Sequence, residues 1–273
     1  MKIKLLLNYL HQSLGKSKLA VRLAILLRNQ AQCVIKYHLN ETADSEQNGE
    51  VNLMRLVAPT SATFIDVGAN VGNWTQRFLE LTPELQKGLL IEPSEAALTR
   101  LKKQFNHLEE LKIIPVAVSD AEGEMTFYEE PNSGECSSLV PGFSNSQAEK
   151  RTVEVTTIDH IVENYQLEYV DFLKIDTEGY DLHVIRGASK LLQQQKIGFI
   201  QFEYNSPWSQ AGSTLAQALS LMDSFQYQVF LIKSSGLFKL NYELYGEYLT
   251  YSNFVGVAPA RIPQISSLIQ GTI

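Results

Sequence analysis

The stretch from Phe64 to Trp74, FIDVGANVGNW, constrains the fold of this chain more than any other. Apolar residues surround Asp66, the chain then passes through Gly68 and Gly72, and Trp74 and Phe78 follow at helical spacing. That order reads as a strand, a tight glycine turn and a helix start. Glycine has no Cβ and tolerates positive φ, so the turn can bring bare backbone close to a ligand. The helix that follows aims free N–H groups at the same place. Asp66 at the strand end adds a condition. A phosphate would be repelled by a carboxylate there, whereas a ligand carrying positive charge would be attracted.

From Val51 onward, strand and helix patterns alternate. Strands are expected at 63–67, 88–92, 111–118, 171–176, 197–204, 228–234 and 252–258. Helices are expected at 73–81, 94–105, 158–164, 181–195 and 214–224. Units of this length argue for an α/β fold with a mostly parallel, doubly wound sheet. Two half-exposed strands, 124–129 and 152–157, flank a segment dense in Gly, Ser, Asn and Pro. A long connection of that kind is usually functional, and 131–150 is the expected lid or acceptor-selecting loop. Residues 1–39, with one glycine and no proline, read as two helices broken near Gly15. Residues 40–50 are polar and read as a linker. The chain is therefore divided into a helical extension with linker, 1–50, and a main domain, 51–273.

Charge sharpens that division. Seven of the 23 basic residues and none of the 30 acidic ones fall within 1–40. The acidic remainder argues against a nucleic-acid partner, while the basic helices offer a surface for peripheral membrane contact. Cys33 and Cys136 are too few for a disulfide framework or a zinc site. No apolar run approaches the ~20 residues of a transmembrane helix. With no secretory signal either, a cytoplasmic location is expected.

Ligands of open α/β sheets sit beyond the carboxyl ends of the strands. Here those ends carry Asp66, Glu92, Asp120, Asp176 with Glu178, and Glu203. Glu92 ends the second strand, where a carboxylate can accept hydrogen bonds from both hydroxyls of a ribose. Asp120 is placed to accept from an adenine amino group. Two nucleoside cofactors compete for such a site. A dinucleotide wants G-x-G-x-x-G, whereas the turn here is Gly68-Ala69-Asn70-Val71-Gly72. Its carboxylate would also face the pyrophosphate. S-Adenosylmethionine carries no phosphate and bears a sulfonium and an ammonium, so the DVGANVG turn favours it.

At this point the chain resembles the FkbM family of S-adenosylmethionine-dependent methyltransferases. The matching stretches are FIDVGANVGNWT (64–75), LIEPSEAAL (90–98), PVAVSDAEGEMTFY (115–128), VEVTTIDHIV (153–162), VDFLKIDTEGYDLHVIRGASKLL (170–192) and FIQFEYN (199–205). KIDTEG followed by a helix ending in RGA is the most specific part. The resemblance implies a class I methyltransferase, Rossmann-like fold, with a seven-stranded, mostly parallel sheet, helices on both faces and the last strand antiparallel. It also implies methyl transfer to a hydroxyl oxygen of a sugar, lipid or secondary metabolite. Carried onto this sequence, Asp66, Gly68, Asn70, Gly72 and Asn73 contact the amino-acid half of the cofactor. Glu92 binds ribose, Ser119 and Asp120 border adenine, and Asp176 lies by the methionine end.

A hydroxyl acceptor must lose a proton during attack, and a carboxylate within hydrogen-bond reach can take it. Asp176, Glu178 and Glu203 are the candidates for base or acceptor-orienting group. No octahedral oxygen set is fixed by the sequence, so no metal is assigned. The alternatives are an NAD-dependent dehydrogenase on a similar sheet, and a non-catalytic module docking through residues 1–40. The sequence does not name the small-molecule or glycan acceptor, nor the oligomeric state.

Overall fold

The computed structural model describes residues 2–39, 42, 44–130, 137–143 and 147–273. They fall into two compact units, Met1–Thr42 and Ala43–Ile273. The first holds two helices, α1 (Lys2–Gly15) and α2 (Lys18–Leu39). Neither is long and apolar enough to cross a membrane, and the same holds for every helix among the described residues.

The described polar residues before position 50, from Asp44 on, belong to the second unit and fold with it. Arg77 pairs with Glu46 and donates to Ser45 Oγ (3.1 Å). Asn48 is buried and bonds Glu50, the first residue of α3 (Glu50–Val57), a helix that the alternation did not reveal.

The remaining elements follow in chain order: β1 (Thr63–Val67), α4 (Asn73–Leu81), β2 (Lys87–Ile91), α5 (Glu95–Phe105), β3 (Leu111–Ile114), β4 (Ala117–Val118), β5 (Gly123–Glu129), β6 (Glu149–Thr156), α6 (Ile158–Asn164), β7 (Val170–Ile175), α7 (Asp181–Arg186), α8 (Ser189–Gln193), β8 (Ile197–Tyr204), α9 (Leu215–Ser224), β9 (Gln228–Lys233), β10 (Gly236–Lys239), α10 (Tyr242–Tyr245), β11 (Ser252–Val257), α11 (Ile262–Ile265) and β12 (Ile269–Thr272). Two expected elements are split. Pro115 separates β3 from β4, since proline cannot donate to a ladder. The helix expected over 181–195 breaks at Gly187, where a Cβ would collide with the Ser119 carbonyl.

The main sheet runs β12-β10-β9-β11-β8-β7-β1-β2-β3. From β3 to β8 all pairings are parallel, and β11 lies antiparallel between β8 and β9. The expected seven strands are present with their antiparallel last member. The sheet has nine strands rather than seven, because β10 and β12 extend the β9 edge. A second sheet, β4-β6-β5, stands apart from it. Strand order reverses between β1 and β7, which is where an open sheet opens a crevice.

One face of the main sheet packs on α3, α4, α5 and α11. Phe64, Phe172, Phe199 and Val257 are paired neighbours across β1, β7, β8 and β11 and form the floor of that core. Two residues further toward the carboxyl edge, period-2 alternation returns to the same face. The residues there are Asp66, Lys174, Gln201 and Val255, again paired in a row. One step beyond lie Asp176, Glu203 and Asn253. Strands of a parallel sheet buried on both faces normally read as unbroken apolar runs. A polar band at this edge is therefore a departure that needs a cause.

Candidate active site

The turn after β1 is locked by its backbone. Gly68 and Ala69 donate to the Ile91 carbonyl (2.9 and 3.1 Å), and Asp176 N–H donates to the Val67 carbonyl (3.0 Å). Gly68 has φ 75°, and a Cβ there would overlap the Asp176 carbonyl. Its close approach is thus to the neighbouring strand end. Gly72, φ 86°, precedes α4, and a Cβ there would strike the Phe105 ring of α5. Asn70 takes the left-handed conformation (φ 47°), which Asn tolerates better than most residues.

Two cavities meet at this turn. A narrow cleft of about 620 Å³, part of it open to solvent, is lined by Gly68, Asn70, Glu92, Asp176 and Glu178. Its apolar walls include Ile91, Val118, Phe127 and Leu139. A larger, more polar chamber of about 1490 Å³, also open, is lined by Glu50, Lys174, Asp176, Gln201, Tyr251 and Asn253. Gly68, Asn70 and Asp176 line both.

Glu92 lies at the base of the cleft with only 6% of its surface exposed. Its Oε2 accepts from Asn70 N–H and its Oε1 from Ser94 N–H, both at 2.8 Å. Burial pushes the carboxyl up to about 7, against those two hydrogen bonds. Each oxygen keeps further accepting capacity. Asn70 Oδ1 is buried without a hydrogen-bond partner, a polar atom that the protein leaves for something else.

Lys174 is buried between carboxylates. Its Nζ lies 3.0 Å from Asp176 Oδ2 and 3.7 Å from Asp66 Oδ1. Burial alone would lower its pKa, but Asp176 and Asp66 outweigh that and hold it above the ordinary lysine value. Asp66 is completely buried and accepts from Thr75 Oγ1 (2.6 Å) in the first turn of α4. Burial raises its pKa while Lys174 opposes the rise. Asp66 lines neither cavity. Its carboxylate is turned to Lys174 and Thr75.

The three candidate bases are sorted by this geometry. Asp176 stands where the cavities meet. Glu178 lines the cleft, and burial, with Asp176 and Asp181 nearby, pushes its carboxyl up to about 8. Glu203 lines neither cavity. It accepts from Asn205 Nδ2, and burial with Asp176, Glu178 and Asp181 close by raises its pKa. Asp181 joins the strand ends, accepting from Glu203 N–H (3.0 Å) and Thr177 Oγ1 (2.9 Å), and burial pushes it up to about 6.

Among the expected cofactor residues, Gly68, Asn70, Glu92 and Asp176 come together at the cleft. Gly72 packs against α5 outside it, and Asn73 lines the larger chamber. Ser119 donates to Asp120 Oδ1 (3.1 Å), and Asp120 lies 3.1 Å from His183 Nδ1. Neither Ser119 nor Asp120 lines the cleft, whose wall at this level is Val118. Asp120 is held below the usual carboxylate range, because the hydrogen bond and charge of His183 outweigh its desolvation. Part of the expected lid, 131–136 and 144–146, lies outside the described residues, as does Cys136. Within the described part, Ser137 and Leu139 line the cleft, and Ser138 Oγ donates to the Glu178 carbonyl (2.8 Å).

Sequence reasoning missed Lys174, Gln201, Glu50 and Asn253. The signal was available for two of them. Lys174 and Gln201 are polar interruptions in central strands that otherwise read as apolar runs.

Comparison with known proteins adds to this geometry. The family described as Methyltransferase FkbM domain matches residues 66–229. The 2-O-methyltransferase NoeI of Sinorhizobium fredii (strain NBRC 101917 / NGR234) is 26% identical over 190 residues, which cover 64% of this chain and 76% of NoeI. Among solved structures, Methyltransferase FkbM from Methylobacillus flagellatus KT aligns with a TM-score of 0.45 and 15% identity. That alignment covers 71% of this chain and 43% of the other. SMU.1697c of Streptococcus mutans, solved in complex with SAH, aligns with a TM-score of 0.43 and 12% identity, covering 77% and 98%.

Proposed function

Because this chain belongs to the FkbM methyltransferase family, we propose that it uses S-adenosylmethionine to methylate a hydroxyl oxygen of a small molecule or glycan. Membership of a methyltransferase family sets aside the dehydrogenase and the non-catalytic module. The observation that carries the finer reading is the meeting of the two cavities at Gly68, Asn70 and Asp176. One cavity suits a nucleoside and the other a second reactant.

The residues of the cleft fit the cofactor's chemistry. Glu92 retains accepting capacity for a ribose diol. Asn70 Oδ1 lacks a protein donor, and the apolar walls suit a flat base. Gly68, Asn70, Glu92 and Asp176 would hold the group. When bound, S-adenosylmethionine supplies a methyl already activated on a sulfonium sulfur. The chain's own task is then alignment, which can lower a barrier by several kcal/mol. A bound cofactor would supply that methyl to the acceptor oxygen and keep the C–S electron pair on its sulfur. Asp176 takes the hydroxyl proton and passes it to water. Lys174, 3.0 Å away, fixes the orientation of that carboxylate. NoeI, by its name a 2-O-methyltransferase, supports an oxygen acceptor. Calorimetry with S-adenosylmethionine, followed by a labelled-methyl screen over metabolites and glycans, tests the reading. No binding, or transfer only to nitrogen or carbon, would refute it.

A second observation concerns the first unit. Leu5, Leu10, Leu19, Leu23, Leu27 and Val34 are exposed on α1 and α2, beside seven basic and no acidic residues. Apolar side chains with only cationic neighbours suit an anionic lipid surface. We propose peripheral membrane contact there, on the cytoplasmic side.

A further inference from the structure

The floor of the larger chamber is the polar band of the sheet, with Lys174 on β7, Gln201 on β8 and Asn253 on β11, and one wall is Glu50 at the start of α3. All four are buried. Burying polar groups side by side is costly unless each is satisfied. Glu50 provides that satisfaction. Its carboxylate accepts from the side-chain amides of Asn48, Gln201 and Asn253, the last at 2.8 Å.

A carboxylate can only accept, so each amide must turn its nitrogen toward Glu50. This fixes an orientation that amide groups otherwise leave open. Gln201 Oε1 and Asn253 Oδ1 consequently point away from Glu50. Neither takes a hydrogen bond from a described residue, and neither is sealed from solvent. The second Asn253 N–H is spent on the Tyr251 hydroxyl (3.0 Å).

The cations of the chamber are committed as well. Lys174 serves Asp176 and Asp66, and Arg77 serves Glu46 and Ser45. What remains on offer among the described lining residues is mainly acceptors, namely two amide oxygens, Asp176 and, further out, Glu80, beside one unpartnered donor, Trp74 Nε1. An anionic ligand would meet Glu50, Glu80 and Asp176 without a free cation. An aliphatic alcohol would leave the amide oxygens dry and unpaired. A ligand that brings several hydroxyl donors and no charge satisfies the chamber.

We propose that this chamber binds the methyl acceptor, and that the acceptor is a neutral polyhydroxylated molecule of the carbohydrate class whose hydroxyls donate to Gln201 Oε1 and Asn253 Oδ1. The proposal rests on the reading that methyl transfer occurs beside Asp176. Glu50 acts as a positioning residue, setting specificity through the two amides.

The test is a saturation-transfer NMR titration of the full chain, loaded with S-adenosylhomocysteine. The probes are methyl glycosides of neutral hexoses, a neutral disaccharide, n-hexanol and phenol. Saccharides should bind and the two monohydroxyl probes should not. Gln201→Ala and Asn253→Ala should each weaken saccharide binding tenfold or more, with S-adenosylhomocysteine affinity within threefold of the parent. Should loss of an amide disturb folding, Ser45→Trp supplies an independent test. This half-buried rim residue blocks the chamber without touching the Glu50 cluster, and must give the same loss. The proposal is overturned if saccharides do not bind, if hexanol or phenol binds instead, or if the variants keep the parent's saccharide affinity. A parent that fails to take up S-adenosylhomocysteine would refute the methyl-transfer reading instead. The saccharide titration run on the protein alone then still decides for or against the chamber.

Discussion

Glu92 offers a way to measure what the narrow cleft costs the fold. Burial pushes its carboxyl from an ordinary 4.5 up to about 7. The folded protein therefore holds this proton more tightly than the unfolded chain does. The stabilising contribution is fully present below pH 4.5 and is lost as pH rises through about 7. At about 1.4 kcal/mol for each tenfold change in proton affinity, the interval amounts to about 3 kcal/mol. Glu92→Gln removes the titration. It also sets an amide nitrogen against one of the two backbone donors, Asn70 N–H or Ser94 N–H, at a cost of about 1–3 kcal/mol at every pH. The variant should be clearly less stable than the parent at pH 5 and close to it, or above it, at pH 8. The gap between the two should change by about 3 kcal/mol, or roughly 6–12 °C in Tm for a domain of this size. Thermal unfolding of ligand-free parent and variant at both pH values reads this directly, and groups common to both proteins largely cancel. Hydroxyl donors favour the ionised carboxylate, so S-adenosylhomocysteine affinity in the parent should rise from pH 6 to pH 8 and stay flat in the variant. A Tm gap equal at pH 5 and pH 8 would refute the burial argument, and an S-adenosylhomocysteine affinity independent of pH in the parent would refute the ribose assignment.

Other outcomes follow from the turn, the junction and the basic unit. Gly68→Ala should cost about 2–4 kcal/mol and abolish cofactor binding, since it combines positive φ with a collision against the Asp176 carbonyl; chemical denaturation and calorimetry measure both. Gly72→Ala collides instead with the Phe105 side chain, so Phe105→Leu should restore part of its lost stability, and an absence of rescue would argue against that contact. Asp176→Asn, measured at saturating cofactor, should lower kcat about 100-fold or more and weaken cofactor binding as well, whereas Glu203→Gln should alter stability more than rate; equal rate losses would reverse the sorting of the two. Full-length protein should sediment with vesicles containing phosphatidylserine but not with pure phosphatidylcholine, and Lys18→Glu with Arg22→Glu should release it.

The sheet was readable from the sequence because its evidence is periodic. β1, β5, β8 and α6 lie within a residue or so of their expected bounds, since short apolar runs punctuated by glycine and proline leave few alternatives. β10, β12 and α3 were not readable. The first two are short edge strands with weak alternation, and α3 is held by tertiary contacts through Glu50. The cleft was half readable. Glu92 sits where its spacing from Gly72 suggests, because that spacing reflects a strand–turn–helix–strand unit of fixed size. Ser119 and Asp120 do not face the cleft, because the break at Pro115 moves Ala117 and Val118 into the second sheet and gives that wall to Val118. No local pattern announces such a switch between sheets.

Asp66 has different surroundings in the sequence and in the fold. Its position after Phe64 and Ile65, at the end of a strand, suggests a carboxylate presented to a ligand. Cross-strand register points it elsewhere. Asp66 pairs across with Lys174, and Lys174 with Gln201, so the row extends from the glycine turn to the chamber floor. Lys174 has one ammonium to share between Asp66, which cannot move because Thr75 and complete burial hold it, and Asp176, which stands at the junction. A fixed anion behind the lysine keeps the ammonium in place, and the ammonium in turn orients the carboxylate that faces both cavities. The glycine turn brings the two cavities together through its backbone, while Asp66 acts one strand away, through a cation that the linear motif KID shows without explaining.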